Sequence, residues 1–497
     1  LQITITNATQ YLVMGLFYII VTKTNALTEA DIGALSILTF LSTTFILITD
    51  LALPTALTKF TSENLGKNQP QEAASVVRTI TKTVVALSLA CYITAILLSQ
   101  QLSRYLFGTP AYAPLIILIL IHAFLSTIIT LCKSTLQALY LFGKIAILTI
   151  TFIGISRAIG ATLAMLHMGL SGVVVGFLAG SIIALSAALI FARGKLPKPT
   201  HNTPLKPILI FSLPLFMSNL TLLVLNWADI MIVRFITLDY SLTGIYYLII
   251  NSVSVLSILW IPITTTIFPA LSARYGLKKP EHVTEIIKTS SRYLIYIILP
   301  SCISLATISS TALTFFYGPI YTIGALAFSI LSVATIIIAF YSLLTTALTA
   351  IGKTNQVLKI NFISAASAVI ALLTLVPFLQ IIGAAIARLA TQMISLTLAI
   401  YVLRKYVKVK LDKESLWKSV VASTPTIPFL IILESPLTTK TSTIQTLTIE
   451  ILVATSIYLL GLYALRALKS QDFELLRQSF PKSLSKYINI IEKVIVR

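Results

Sequence analysis

Gly66-Lys67-Asn68-Gln69-Pro70 returns 210 residues later as Gly276-Leu277-Lys278-Lys279-Pro280, and this recurrence decides the fold. Other landmarks keep nearly the same offset. Gly33 reappears as Gly244, Gly143-Lys144 as Gly352-Lys353, Gly172 as Gly383, and Ala192-Arg193 as Leu403-Arg404, all spaced by 209 to 211 residues. A fixed register held over most of a chain is the mark of an internal duplication. Both copies are strongly apolar, so the pattern describes two similar membrane bundles. In such an arrangement a transported substrate sits at the interface between the repeats.

Composition carries the same message. The chain is 57% hydrophobic and only 10% charged, with a mean hydropathy of +0.95; a soluble domain carries about 25% charged residues. No long hydrophilic block is present to fold as a separate aqueous domain. No removable signal peptide is expected, because the first apolar run lacks a basic leader and a small-residue cleavage site. Cys91, Cys132 and Cys302 all lie within apolar runs, which argues against disulfides or a metal cluster.

A membrane span needs roughly 17–25 largely apolar residues. Fourteen such stretches are expected. In the first copy they fall near 6–22, 33–57, 82–103, 112–133, 145–166 and 171–192, and in the second near 207–233, 243–268, 290–314, 322–349, 355–377 and 381–403. Two more follow near 416–434 and 447–468, the former weakened by Pro425 and Pro428. Short alternating strands of a β-barrel do not match these continuous runs. The expected fold is therefore an all-α polytopic membrane protein of about fourteen helices. Its domains are a six-helix lobe over 1–205, a second over 206–414, an extra helix pair over 415–468, and a basic amphipathic tail over 469–497 lying on the inner membrane surface.

Positive charge sets the orientation. Lys59, Lys67, Arg78 and Lys82 follow the second stretch, and Arg193, Lys195, Lys198 and Lys206 follow the sixth. Further clusters occur after the eighth and twelfth stretches, whereas the opposite side holds only Lys23, Arg104, Arg234 and Lys440. Both termini are thus expected in the cytoplasm, with the protein in the plasma membrane. The net charge of +20 is mostly this topology signal, with attraction to anionic membrane lipids second. Charges dispersed over many short loops argue against nucleic acid as a partner. An even number of helices per copy gives the copies the same orientation, related by an axis along the membrane normal.

Charges inside spans cost about 2.5–3.5 kcal/mol at a helix centre on insertion scales, so each needs a reason. Arg157 lies mid-way along the fifth stretch and Arg388 within the twelfth, at positions unrelated by the repeat. Each is a candidate to present a guanidinium fork to an anionic group such as phosphate, or to be satisfied by carbonyls or a neighbouring carboxylate. Asp50 and Asp229 are candidates for ion coupling or gating, against the plainer reading of a carboxylate paired with a nearby base. Lys23 and Arg234, 211 residues apart, are placed at equivalent outer ends and would form a cationic rim or simply snorkel to the boundary. Gln10 and Asn226, with Asn7, Asn219 and Asn251, would line a wet cavity or join helices.

At Leu27-Thr28-Glu29-Ala30-Asp31-Ile32-Gly33 and Asp50-Leu51-Ala52-Leu53-Pro54-Thr55-Ala56-Leu57 the chain resembles the amino-terminal signature of polysaccharide-exporting flippases. That family lies within the multidrug/oligosaccharidyl-lipid/polysaccharide exporter superfamily. Ile32 stands where the family's turn has an aromatic residue, and Ala52 where it has a glycine. The second copy resembles it at Phe211-Ser212-Leu213-Pro214-Leu215, Trp227-Ala228-Asp229, Gly244-Ile245-Tyr246 and Phe268-Pro269-Ala270-Leu271-Ser272, so the likeness covers residues 1–410. The resemblance implies two lobes around a cationic cavity, alternating access, and a lipid-linked oligosaccharide as cargo. Arg157 and Arg388 are the candidates for the phosphate contact. No cofactor is expected; a coupling ion would be H+ or Na+. The chain is expected to act as a monomer on a lipid-linked sugar. A cation-coupled multidrug antiporter of the same superfamily is the nearest alternative, though such proteins usually have twelve helices and often a carboxylate in helix one. A membrane-embedded glycosyltransferase is the enzymatic one, disfavoured because no long outer domain exists to hold an acceptor.

Overall fold

A computed structural model describes residues 2–199, 203–276, 280–409, 412–432 and 443–467. Among them there is no strand, and most of the helices follow one another through short turns. The first copy contributes α1 (Gln2–Lys23), α2 (Glu29–Asp50), α3 (Leu53–Gly66), α4 (Pro70–Leu97), α5 (Ser99–Phe107), α6 (Ala113–Ala138), α7 (Phe142–Leu163) and α8 (Gly169–Ala192). The second contributes α9 (Leu205–Thr237), α10 (Tyr240–Ser254), α11 (Ile261–Gly276), α12 (Pro280–Thr307), α13 (Ser309–Phe316), α14 (Ala325–Ala350) and α15 (Thr354–Leu403). Then come α16 (Lys413–Ser423) and α17 (Thr443–Ala464). Duplication survives in the lengths. α4 and α12 each have 28 residues and open on the repeat-related Pro70 and Pro280, and α6 and α14 each have 26.

The described parts of the expected stretches lie largely on helices, but not as fourteen separate ones. Ten described helical runs are long and apolar enough to cross a membrane, or eleven if the bent pair Glu281–Thr307 and Ser309–Phe316 counts as one. The chain is a multi-pass membrane protein. Two runs, Phe142–Ala192 and Thr354–Leu403, each hold two expected stretches and have 51 and 50 residues. A straight helix of that size would be about 75 Å long, far beyond the ~30 Å hydrocarbon core. Each run is broken instead, by His167 (φ 65°) and Gly169 (φ 52°) in one and by Gln380 (φ 48°) in the other. Beyond each break the chain folds back on itself. A Cβ on Gly172 would collide with the Leu163 and Ala164 backbone, and one on Gly383 with the Leu375 carbonyl. These two landmarks recur because each hairpin needs the same close approach.

The stretch expected as one helix over 33–57 is two. Leu51 (φ 47°) and Ala52 (φ 57°) take left-handed conformations that end α2, and the Asp50 carboxylate accepts the Ala52 N–H at 2.8 Å. Pro54, lacking a donor, suits the first turn of α3. The corresponding stretch in the second copy breaks at a short 3₁₀ segment, Val255–Leu259. α12 and α13 meet at 78°.

Two compact units result. The first comprises Leu1–Ile258 and Leu358–Thr391, the second Leu259–Val357 and Gln392–Arg497. Their boundaries follow density of packing and differ from the division at residue 205, which follows the duplication. Within the first unit, α3 and α4 bury Leu53, Ala56, Leu57, Val76, Ile80 and Val84 together with Ile208 of α9. Here too the repeat-related Gly33 and Gly244 meet. A Cβ on Gly33 would strike the Tyr240 carbonyl, and one on Gly244 the Glu29 carbonyl, so α2 and α10 touch backbone to backbone near their N-terminal ends. Within the second unit, Ile308 and Ala312 pack with Leu430, Leu447 and Ala454. The tail over 469–497 lies outside the described residues.

Candidate functional site

The two intramembrane arginines sit in the first unit in opposite circumstances. Arg157 on α7 places its guanidinium 3.9 Å from the Phe177 ring centre on α8 and 5.1 Å from that of Phe17 on α1. Small residues bring these helices close. A Cβ on Gly176 would meet Gly160, and one on Gly180 would meet Ser156, the neighbour of Arg157. Aromatic faces attract a cation, most strongly where water is excluded. No described ion pair neutralises Arg157, and its buried Nη1 has no hydrogen-bond partner. Beside it lies a cavity of about 90 Å³ whose wall includes Thr39, Ser42, His122, Ser156 and Arg157. His122 Nδ1 is 3.1 Å from the Phe177 carbonyl oxygen and 2.6 Å from Ser181 Oγ. A carbonyl oxygen can only accept, so Nδ1 carries the hydrogen there. The cavity thus offers hydroxyls, an imidazole and one uncompensated cation.

Arg388 on α15 is compensated. Its Nη1 donates to Asp229 Oδ2 on α9, and the same oxygen accepts the Tyr246 hydroxyl of α10 at 3.1 Å. Asp229 Oδ1 accepts the Ile230 N–H at 2.9 Å, and its side chain is only 4% exposed. A guanidinium and a carboxylate in a medium of low dielectric hold each other firmly, and neither is left to meet a cargo ion without separating from the other. The sequence offers Asp229 as a coupling carboxylate and Arg388 as a substrate contact; the tertiary structure joins them in one ion pair, Asp229 buried and Arg388 half-buried.

Aromatic rings run between the two clusters. Phe40 of α2 lies 5.7 Å from Trp227, which lies 6.1 Å from Tyr247. The Tyr18 hydroxyl donates to that of Tyr247 at 3.2 Å, and Tyr18 lies edge-on to Phe17, the ring beneath Arg157, at 5.1 Å. Tyr246 and Tyr247 are adjacent in sequence, so α10 contacts both groups at once. The remaining candidates do not gather here. Asp50 serves the turn between α2 and α3. Lys23 and Asn226 are exposed and Gln10 is half-buried. Arg234, the repeat counterpart of Lys23, is buried and stacks over Tyr240 at 3.8 Å, so the two do not form a matched rim.

Several participants escaped the sequence reading. Phe17, Tyr18, His122 and Phe177 are ordinary members of apolar runs, and only the crossing of their helices makes them neighbours; Tyr246 stands in a motif of the resemblance, which says nothing of its bond to Asp229. Glu450, wholly buried on α17 with its Oε1 3.5 Å from Thr311 Oγ1, had a visible signal as a carboxylate inside an apolar stretch.

Residues 2–275 match the family described as "Polysaccharide biosynthesis protein". No curated protein matches the chain. Among solved structures, the chain is similar to the lipid II flippase MurJ in an inward closed conformation, with a TM-score of 0.75, 16% identity, and 92% of this chain and 97% of that one covered. It is similar also to an inward-facing multidrug resistance MATE family transporter, with a TM-score of 0.65, 15% identity and coverage of 82% and 96%. A third likeness is to a MOP superfamily transporter from Pyrococcus furiosus with reversed polarity of its binding pocket, with a TM-score of 0.57, 14% identity and coverage of 81% and 95%. At these identities the likenesses establish the fold. With more than half of its length matched, the chain belongs to the polysaccharide biosynthesis protein family.

Proposed function

We propose that this protein is a flippase that moves a polyprenyl-phosphate-linked oligosaccharide from the inner to the outer leaflet of the plasma membrane, acting as a monomer with both termini in the cytoplasm. Such a cargo has an anionic, strongly hydrated head that hydrocarbon rejects and a tail that belongs in the bilayer. The observation that carries the reading is Arg157, a cation inside a span with a free Nη1, no described carboxylate partner and a small cavity beside it whose largely apolar wall carries hydroxyls and an imidazole. A guanidinium in that state suits a phosphate, which it can take with paired hydrogen bonds. Arg388 is assigned a different part. Because it is tied to Asp229, the pair is the candidate for gating, with H+ or Na+ as the ion that would loosen it on neutralising or competing for the carboxylate. Engagement of Asp229 also speaks against the antiporter reading, since a cationic drug would need a carboxylate free to receive it.

The experiment is reconstitution into vesicles with fluorescent lipid-linked sugars, scoring head-group accessibility from outside over time. Wild-type protein should expose the head group, and Arg157→Ala should cut the rate at least about tenfold, equivalent to ~1.4 kcal/mol, while still inserting and folding. A cationic dye serves as the rival cargo. Full transport of the lipid-linked sugar by Arg157→Ala removes the assigned contact, and transport of the dye instead of the sugar removes the flippase reading.

A further inference from the structure

α4 and α12 are duplicates whose equivalent faces have met different fates. On α12, Ile287, Ser291 and Arg292 are buried. α16 lies against this side: Ser291 Oγ accepts the Asp412 N–H at 3.3 Å, and Tyr296 donates to Ser415 Oγ at 3.0 Å. The equivalent positions on α4 are Val77, Thr81 and Lys82; the first two are half-buried and Lys82 is exposed. No described helix covers them. They open instead on a cleft of about 400 Å³ between α4, α6, the end of α8 and the strap 194–199. Gly194 (φ 69°) turns the chain out of α8, and Thr203, ahead of α9, donates its N–H to Thr79 Oγ1 of α4 at 3.0 Å.

We propose that this cleft binds one anionic glycerophospholipid, its phosphate held by Arg78 and Lys82 and an acyl chain lying against the apolar wall. Arg78 and Lys82 stand one turn apart on α4, have no described ion-pair partner, and line a cleft with no carboxylate among its lining residues. Like charges at this spacing repel, and a bound anion relieves that repulsion. Between them and the protein interior run Val77, Ile128, Leu131, Leu189 and Leu196, a hydrocarbon surface continuous with the cations. Basic pockets between transmembrane helices are suited to anionic heads for this reason. In the second copy, the chain's own α16 supplies the cover; in the first, the bilayer supplies it. The proposal is independent of the transported cargo.

Native mass spectrometry of the full chain, released from micelles with graded phosphatidylglycerol or phosphatidylcholine, tests it. Wild-type protein should retain one phosphatidylglycerol in preference to phosphatidylcholine. Arg78→Gln and Lys82→Gln should each weaken retention about fivefold and the double variant about 25-fold, following roughly 1 kcal/mol per charge. Lys206→Gln, which removes an exposed charge outside the cleft, should retain the lipid as wild type does. Leu189→Trp, which fills the apolar wall without touching charge, should weaken it as well and keeps the test open should the double variant misfold. Equal retention by wild type, double variant and Leu189→Trp overturns the site. Displacement of the lipid by millimolar inorganic phosphate alone overturns a lipid as the occupant.

Discussion

Arg157 and Arg388 are the same residue type, half-buried in the same compact unit, yet only Arg388 has a counter-charge among the described residues. Arg388 meets Asp229, which Tyr246 also holds; Arg157 meets the faces of Phe17 and Phe177 and a small cavity. A salt-bridged arginine has its electrostatic need met within the fold. One held only by aromatic rings keeps part of its need unmet, and that remainder is what a transported anion could satisfy. The contrast teaches that a charge within a span marks function only after its partners are known.

Four changes would break or sharpen this contrast, beginning with the largest effect. Asp229→Ala leaves the half-buried Arg388 without its counter-charge and should cost about 2–4 kcal/mol of stability, seen as an early melting transition of the purified protein. Asp229→Asn combined with Arg388→Met should recover most of that loss, because both charges are gone. A single Asp229→Ala variant that melts with the wild type would show the pair to be dispensable. Gly244→Val comes next. Its side chain would enter the Glu29 carbonyl and part α2 from α10, disturbing the helix that carries Tyr246 and Tyr247, at a cost of about 1–3 kcal/mol. Thermal melts measure it, and an unchanged midpoint would mean the two backbones need not touch.

Phe177→Leu removes the nearer ring beneath Arg157 and should lower stability by about 0.5–2 kcal/mol while slowing transport. A fully active, equally stable variant would detach the arginine from its aromatic seat. Asp50→Asn should change least. The amide oxygen can still accept the Ala52 N–H, so stability should move by less than about 0.5 kcal/mol and transport should persist. Loss of ion dependence in that variant would return Asp50 to a coupling role and weaken its assignment to the turn.

Much of the architecture was readable in one dimension. The apolar stretches lie on helices because hydrocarbon demands that every backbone group be bonded within its own segment. The recurring glycines marked real constraints: Gly172 and Gly383 at the two hairpins, Gly33 and Gly244 where α2 meets α10. The breaks inside those stretches were less legible. Leu51, Ala52, His167 and Gln380 are not turn formers by type, and their positive φ values are imposed by the surroundings. Intramembrane charges could be named from the sequence, but their pairing could not. Asp229 and Arg388 are 159 residues apart, and no periodicity links them.

Sequence alone therefore determined that this is a duplicated bundle of membrane helices with a few costly charges inside it, because hydropathy and register are properties of the linear chain. Only the tertiary structure decided which of those charges cancel. Charge neutralisation depends on distance in space, and helix crossings set that distance: α9 and α10 deliver Asp229 and Tyr246 to Arg388, while α1 and α8 deliver only aromatic rings to Arg157.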